Sequence, residues 1–349
     1  MTTMGERLES EDDWFVIAEI GVNHGNSMEL AKEMVKQAAA GGASAAKFQT
    51  YKASKLAIRD SPAYWDTSKE PAENQHELFS RFDLFEQEDY AELAQVAKEY
   101  GIEFMSTAFD LDSLEWIDPL VGMHKIASAD ITNTPLVRAI AAKGKPVCLS
   151  TGAASYSEIE NAVAELRAGG VNDISIMHCV LNYPCEDHNA FLGRITELTE
   201  RFPGVVLGYS DHTIPDTEST ATLSAYLLGA RIIEKHFTHD RSLQGNDHYH
   251  AMDFESLSAL TKRLDQLKVM RKRPSEEEFL SVQDAAIRHA RRSIVTSRPV
   301  KAGEVLDEDN LTTKRPAAGL SPLHWDEIMG KTCKHDLEED ALISFEDVE

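Results

Sequence analysis

FVIAEIGVNHGNSMELAKEMVKQAAAGGASAAKFQT, residues 15–50, changes its hydrophobic period twice. FVIAEI (15–20) is a short β-type apolar run. SMELAKEMVKQAAAGG (27–42) is an amphipathic stretch that closes on glycine, as helix C-caps do. AAKFQT (45–50) returns to the strand pattern. Together they read as one β/α repeat followed by the start of the next.

The same rhythm continues outward from that stretch. IEFMST (102–107), MHKIAS (123–128), PVCLST (146–151), DISIMHC (173–179), VVLGYS (205–210) and RIIEKHF (231–237) complete a set of eight candidate strands. QEDYAELAQVAKEYG and YSEIENAVAELRAGG are among the amphipathic stretches between them. Eight β/α units in about 260 residues predict an α/β protein built on a TIM (β/α)8 barrel. A doubly wound open sheet is the competitor.

The polar residues favour the barrel, because each run ends in chemistry at its C-terminal edge. These ends are Glu19 with Asn23 and His24, Lys47 and Gln49, Ser106 and Thr107, Lys125 and Ser128, Ser150 and Thr151, His178, Ser210 with Asp211 and His212, and Glu234 to His236. In a barrel such positions ring one mouth, where enzymes of this fold keep their active sites. Beyond about residue 270 the pattern changes. KVMRKRPSEEEF is a charged helix end and linker, and short strands separated by KAGE, DEDN and PAAG turns follow. The expected division is a barrel domain over 1–275, a linker over 276–284 and a small domain over 285–349, near the lower limit for an independent core.

Composition narrows the function. A net charge of -24 over 349 residues argues against nucleic acid and anionic membranes as partners. A salt-rich cytoplasm would also account for the excess acid. No run of about 18 apolar residues occurs, and the N-terminus is acidic without a signal-like apolar core, so a cytoplasmic location is expected. Cys148, Cys179, Cys185 and Cys333 are scattered, with no CxxC spacing, and read as small buried residues. If the substrate is an anion, its site must concentrate positive charge against that acidic field.

Lys47 and Lys125 lie within apolar runs, which is costly unless an anion meets them. Ser128, Ser150 and Ser210 can add hydroxyl donors at matching levels. Two ammonium groups and three hydroxyls suit a phosphate or carboxylate. A Schiff-base lysine, or lysines aimed outward at helices, are the alternatives. IIEKHFTHDRSLQGNDHYH (232–250) holds four of the thirteen histidines. His236 there and His212 at the end of the preceding run would be neighbours in a barrel and could share one divalent ion; two separate loop-stabilising histidines are the bland reading. His239, His248 and His250 read as exposed or substrate-contacting rather than as ligands. Glu19 is either a general base or polyol-binding carboxylate, or simply the ion-pair partner of a lysine.

AEIGVNHGNS, AAKFQTYK, MHKIAS, LSTGAAS, GYSDHT, EKHFTHDR and GNDH occur in order, with TKRPAAG in the tail. From about residue 14 onward the chain resembles the sialic acid synthase family, the phosphoenolpyruvate-condensing nonulosonate synthases, which join a TIM barrel to a C-terminal antifreeze-like (SAF) domain. The resemblance implies a transferase that binds a divalent metal, manganese first and magnesium or cobalt as alternatives, through His212 and His236. It implies phosphoenolpyruvate held by Lys47, Gln49, Lys125, Ser128, Ser150 and Ser210. An amino-sugar acceptor would meet Glu19, Tyr183 and Asp247, with Arg315 reaching it from a neighbouring subunit of a domain-swapped homodimer.

Three stretches depart from the family pattern: HCVLNYP places Leu181 where a polar residue is usual, GNDHYHAMD replaces GPDH followed by KAS, and RPAAG replaces RPGxG. They fall on the acceptor side and leave the identity of the sugar open. The reaction expected is condensation of phosphoenolpyruvate with an open-chain N-acylated hexosamine, to a nine-carbon 2-keto acid and phosphate. Two rivals are a Schiff-base aldolase using Lys125 or Lys235, and a non-catalytic carbohydrate- or ice-binding protein.

Overall fold

The computed structural model describes residues 4–8, 12–65, 67–68, 70–245 and 247–349; Asn246 of the GNDH motif and part of the acidic N-terminus lie outside the described residues. The chain divides into two compact units, Met1–Arg271 and Lys272–Glu349.

In the first unit eight parallel strands close on themselves in sequence order. They are β1 (Phe15–Gly21), β2 (Ala45–Thr50), β3 (Glu103–Ala108), β4 (His124–Ile126), β5 (Val147–Ser150), β6 (Ile174–Cys179), β7 (Val206–Asp211) and β8 (Ile232–His236). The TIM barrel is therefore the fold, and the open sheet is excluded by the β1–β8 pairing that registers Glu19 against His236. β4 is shorter than MHKIAS suggests, because Ser128–Asp130 turns into a 3-10 helix straight after it.

Strand alternation divides the apolar residues between two cores. Phe15 and Ile17 join Ala45, Met105, Met123, Cys148, Met177 and Ile232 inside the barrel, with Met4 of the short N-terminal helix packed against them. Val16, Ala18 and Ile20 face the other way, into the layer between strands and helices. That outer layer is supplied by amphipathic helices such as Met28–Ala40, whose Ala31, Met34, Val35 and Ala38 are buried. Ser27 caps that helix by accepting from the Leu30 amide.

The β2-to-β3 connection is the longest excursion. It carries short helices Ala53–Leu56 and Gln75–Ser80 before the packing helix Gln87–Glu99.

The second unit pairs β9 (Ser293–Thr296) antiparallel with β10 (Leu311–Lys314). Ile294, Val300, Leu306, Leu311, Ile328, Cys333, Ile343 and Val348 form its own small core. Among the described residues, no helix is long and apolar enough to cross a membrane.

Ile17 is fully buried at the centre of the barrel interior. Ile17→Ala is expected to destabilise the barrel by about 2–5 kcal/mol, read as a fall in its urea unfolding midpoint. A loss below about 1 kcal/mol would mean that the interior collapses around the missing methyl groups rather than being close-packed.

Candidate active site

The alternation that sorts the cores also sorts the polar strand ends. Glu19 follows Phe15 and Ile17 on the inward face of β1, and by the same parity Lys47, Gln49, Thr107, Lys125, Ser150, Cys179, Ser210, Glu234 and His236 point into the mouth. All of them line one cavity of about 500 Å³. Ser128, His212, Tyr183 and Asp247 from the following loops line it too. Ser106, Thr151, His178, Asp211 and Lys235 do not, although they also sit at strand ends. His178 serves the outer layer, donating through Nε2 to Ala190 O at 2.7 Å. His24 is stacked on Phe85, and burial lowers its pKa to about 4. The expectation that every polar strand end belongs to the mouth thus held for one parity only.

The floor of the cavity is a buried set of four charges. Lys47 Nζ lies 2.7 Å from Glu19 and 3.6 Å from Glu234, and Lys125 Nζ lies 3.3 Å from Glu234 on its other oxygen. Ser210 donates to Glu234 at 2.9 Å, Gln49 donates to Glu19 at 3.0 Å, and Lys47 donates to Thr107 at 3.2 Å. So the ion-pair reading of Glu19 is realised, on the same lysine that was expected to face an anion.

The environment drives the two carboxyls apart. Burial, reinforced by the Glu234 charge, raises Glu19 despite Lys47. Glu234 is also buried, but Lys125 and Lys47 outweigh that cost and hold it at about 2. One carboxyl is poised to carry a proton and the other is a fixed anion. Glu234 was named from the sequence only as one of the polar strand ends, with no role of its own. Its signal is its place two residues before His236, on the same face of the same strand.

Ser150 Oγ, in a residue only 1% exposed, finds no hydrogen-bond partner among the described residues. A buried hydroxyl facing two ammonium groups is a donor awaiting an acceptor. Ser128 accepts from the Gly152 amide at 2.9 Å. A Cβ at residue 152 would fall 2.9 Å from that hydroxyl and 3.1 Å from Cys179 Sγ, so only glycine allows this approach.

Imidazoles occupy the other side of the mouth. His212 and His236 have ring centroids 5.6 Å apart, as neighbours on β7 and β8 should. His212 Nδ1 lies 2.8 Å from Val180 O; a carbonyl only accepts, so Nδ1 carries a proton, and although burial opposes it, Cys179 and this carbonyl raise the His212 pKa. Burial, followed by His250 and His212, pulls His236 well below its ordinary pKa, which keeps it neutral. Its Nδ1 is buried without a hydrogen bond among the described residues, 3.6 Å from Asp247. Donor atoms of His236, Asp247 and His250 all lie within 4.8 Å of one another.

Imidazoles beside a carboxyl group are a donor set that fits a divalent first-row ion, with His236 already held neutral. His250 corrects the sequence reading, because it is fully buried in this cluster, whereas His239 is exposed and His248 bonds Thr238 at 2.8 Å.

Behind the cluster Lys235 Nζ donates to Asp211 at 2.6 Å and to Thr213 O at 2.7 Å. Asp211 and Lys235 are register partners, each directly preceding one of the paired histidines. Lys235 is therefore a cross-link on the outer face and not a nucleophile in the mouth.

A third wall comes from the β2-to-β3 excursion, through Leu56, Tyr64, Trp65, Leu78, Phe79 and Phe82. Sequence reasoning passed over it, although aromatic residues concentrated in a connection are its signature. Leu181 lines the cavity as well. Arg315 is exposed in the second unit, directly after β10.

With this geometry in hand, comparison with known proteins is decisive for the family. The NeuB family model matches residues 34–275 and the SAF domain model matches residues 291–349. The chain is 34% identical to the N,N'-diacetyllegionaminic acid synthase of Campylobacter jejuni, over 94% of this chain and 98% of that one. It is 33% identical to the enzyme of the same name from Legionella pneumophila, over 96% and 94%. Among solved structures, a putative spore coat polysaccharide biosynthesis protein E from Chromobacterium violaceum superposes with a TM-score of 0.78 at 25% identity, covering 97% of this chain and 100% of that one. The chain belongs to the NeuB family of sialic-acid-synthase-like enzymes. It is a phosphoenolpyruvate-dependent, transferase-type enzyme with a separate SAF domain.

The depressed Glu234 carboxyl has a consequence for acid stability. A group held at about 2 when folded and near 4.5 when unfolded contributes stability above the higher value and loses it as pH falls toward the lower. Glu234→Gln takes up one proton fewer on acidification. Its urea midpoint should therefore fall less steeply than that of the unsubstituted protein between about pH 5 and 3. Parallel slopes would show that the Lys47–Glu234–Lys125 contacts do not depress this carboxyl.

Proposed function

We propose that the enzyme condenses phosphoenolpyruvate with the open-chain aldehyde form of an N-acylated hexosamine, giving a nine-carbon 2-keto acid and phosphate. The observation that carries the reading is the pair of buried lysines, Lys47 and Lys125, beside the partnerless Ser150 hydroxyl and facing the imidazole cluster across one cavity. Phosphoenolpyruvate brings two anionic groups, and the two ammonium groups with Ser128, Ser150 and Ser210 are the donors to receive them. Gln49 orients Glu19 and fixes the edge of that subsite.

In the reaction the phosphoenolpyruvate C3 bonds to the aldehyde carbon, water adds at C2, and phosphate departs with the C–O bond pair. Lys47 and Lys125 stabilise the charge that builds on the departing phosphate and on the carboxylate. Glu19, whose buried carboxyl has a raised pKa, holds or moves the proton at the acceptor oxygen. His212 and His236 would hold a divalent ion, manganese by family resemblance with magnesium or cobalt as alternatives. Such an ion supplies Lewis acidity toward the aldehyde oxygen when bound. Tyr183 and Asp247 are assigned to the acceptor side of the mouth.

The acceptor is N-acetylmannosamine or a 2,4-diacetamido-trideoxyhexose. The wall of Tyr64, Trp65, Phe79 and Leu181 favours the latter, since a deoxy carbon and acetamido methyl groups offer apolar surface where hydroxyls would need partners. The two legionaminic acid synthases among the relatives point the same way. Arg315 keeps the acceptor role that the resemblance gives it, within a domain-swapped homodimer. We place the catalytic domain at 1–275 and the small domain at 285–349, and we assign the enzyme to the cytoplasm.

Lys47→Ala removes a charge from the anion side and also unpairs Glu19. It should raise the KM for phosphoenolpyruvate about tenfold to a hundredfold, the equivalent of ~1.5–3 kcal/mol, with a smaller rise in the acceptor KM through Glu19. Phosphate release measured against each substrate in turn checks this, and equal losses for both would remove Lys47 from the phosphoenolpyruvate subsite.

A further inference from the structure

Beyond the pair His212 and His236, the loop after β8 delivers a third imidazole to the same corner. His250 is fully buried, its ring centroid 4.8 Å from that of His236 and 6.4 Å from that of His212. Its Nε2 lies 3.9 Å from one Asp247 oxygen, and the other Asp247 oxygen lies 3.6 Å from His236 Nδ1. Donors sharing one ion at roughly 2.1 Å each stand about 3–4 Å apart, and both separations fall within that span.

We propose that His250 is a direct metal ligand in this enzyme, and that Asp247 bridges it to His236 as a fourth protein donor alongside His212. The inference rests on the synthase reading for the presence of an ion and extends it to which residues hold that ion.

Three features of the loop support it. The bridge from Phe237 to Met252 pairs the two ends of the segment that carries His250. The Met252 amide donates to His236 O at 2.8 Å and the Thr238 amide donates to Met252 O at 2.9 Å, which binds the His250 segment to the strand that carries His236. Tyr249 OH donates to Tyr183 O at 3.0 Å, and the Tyr183 ring lies tilted against His212 with centroids 4.2 Å apart. These contacts link the His250 segment, through Tyr183, to the neighbourhood of His212.

The chemistry of the third donor has a consequence for metal choice. Imidazole nitrogen favours cobalt over manganese more than carboxylate or water oxygen does, so an added imidazole raises affinity along the Irving–Williams order. A site with His212, His236 and His250 holds its ion before substrate arrives and discriminates against magnesium.

The test uses the full-length protein, stripped with a chelator and loaded with manganese chloride alone. Pulsed electron paramagnetic resonance counts the imidazole nitrogens coupled to the bound ion. Three are expected in the unsubstituted protein and two in His250→Ala and His250→Gln. Titration with Mn2+ and Co2+ should show affinity in the variants falling by about 10-fold for Mn2+ and about 100-fold for Co2+. Two coupled nitrogens in the unsubstituted protein, which require no variant to fold, would overturn the assignment of His250 and leave the synthase reading standing. Failure of the unsubstituted protein to bind either metal would overturn both.

Discussion

Everything at the mouth of this barrel depends on Glu234 lying between two lysines. Lys47 and Lys125 sit at the level where a barrel would ordinarily be closed by apolar side chains, and ammonium groups so deeply buried need compensation. Glu234 takes one oxygen to each, Glu19 takes a second contact to Lys47, and the floor is balanced at two positive and two negative groups. The balance is what makes the site both foldable and receptive. The four groups compensate one another within the chain, and the ammonium groups are held in set positions. Glu19, with its raised pKa, can then become neutral while Glu234 stays ionised, which keeps the floor from gathering excess negative charge.

The imidazole corner is built on a second buried pair with the opposite orientation. Asp211 and Lys235 face the outer layer, and Asp211 also accepts from Tyr209 OH at 3.0 Å and from the Thr213 amide at 2.8 Å. Their bond ties the ends of β7 and β8, so His212 and His236 leave their strands in fixed register. The two ion systems thus occupy opposite parities of adjacent strands. The inward one supplies the chemistry and the outward one supplies the geometry. In a chain with a net charge of -24, Lys47, Lys125 and Lys235 are buried at these two places.

The barrel was legible in the sequence because its signal is repetitive: eight β-type runs separated by amphipathic stretches leave little freedom of topology. Lys47, Lys125, His212 and His236 were legible for a related reason, since each ends or interrupts an apolar run with a group that is costly to bury. Parity was harder to read. Asp211 and Lys235 look as functional on paper as His212 and Glu234, and only the inward or outward sense of each strand separates them. Glu234 was hidden between more conspicuous neighbours. His250 and the aromatic wall of residues 51–86 come from loops, where no period constrains direction and long-range contacts decide placement. The Cys179 thiol, read only as a small buried residue, turned out to be both buried and part of the cavity wall.

In the proposed reaction the two-lysine floor binds phosphoenolpyruvate for attack on a sugar aldehyde, with the phosphate leaving by cleavage of the bond to C2. The most direct measurement uses phosphoenolpyruvate labelled with 18O in the oxygen that bridges C2 and phosphorus, incubated with the enzyme, a divalent metal and a 2,4-diacetamido-trideoxyhexose. Released phosphate analysed by mass spectrometry should retain the label, and its release should require the sugar. Unlabelled phosphate, or labelled phosphate released equally without any acceptor, would contradict the account.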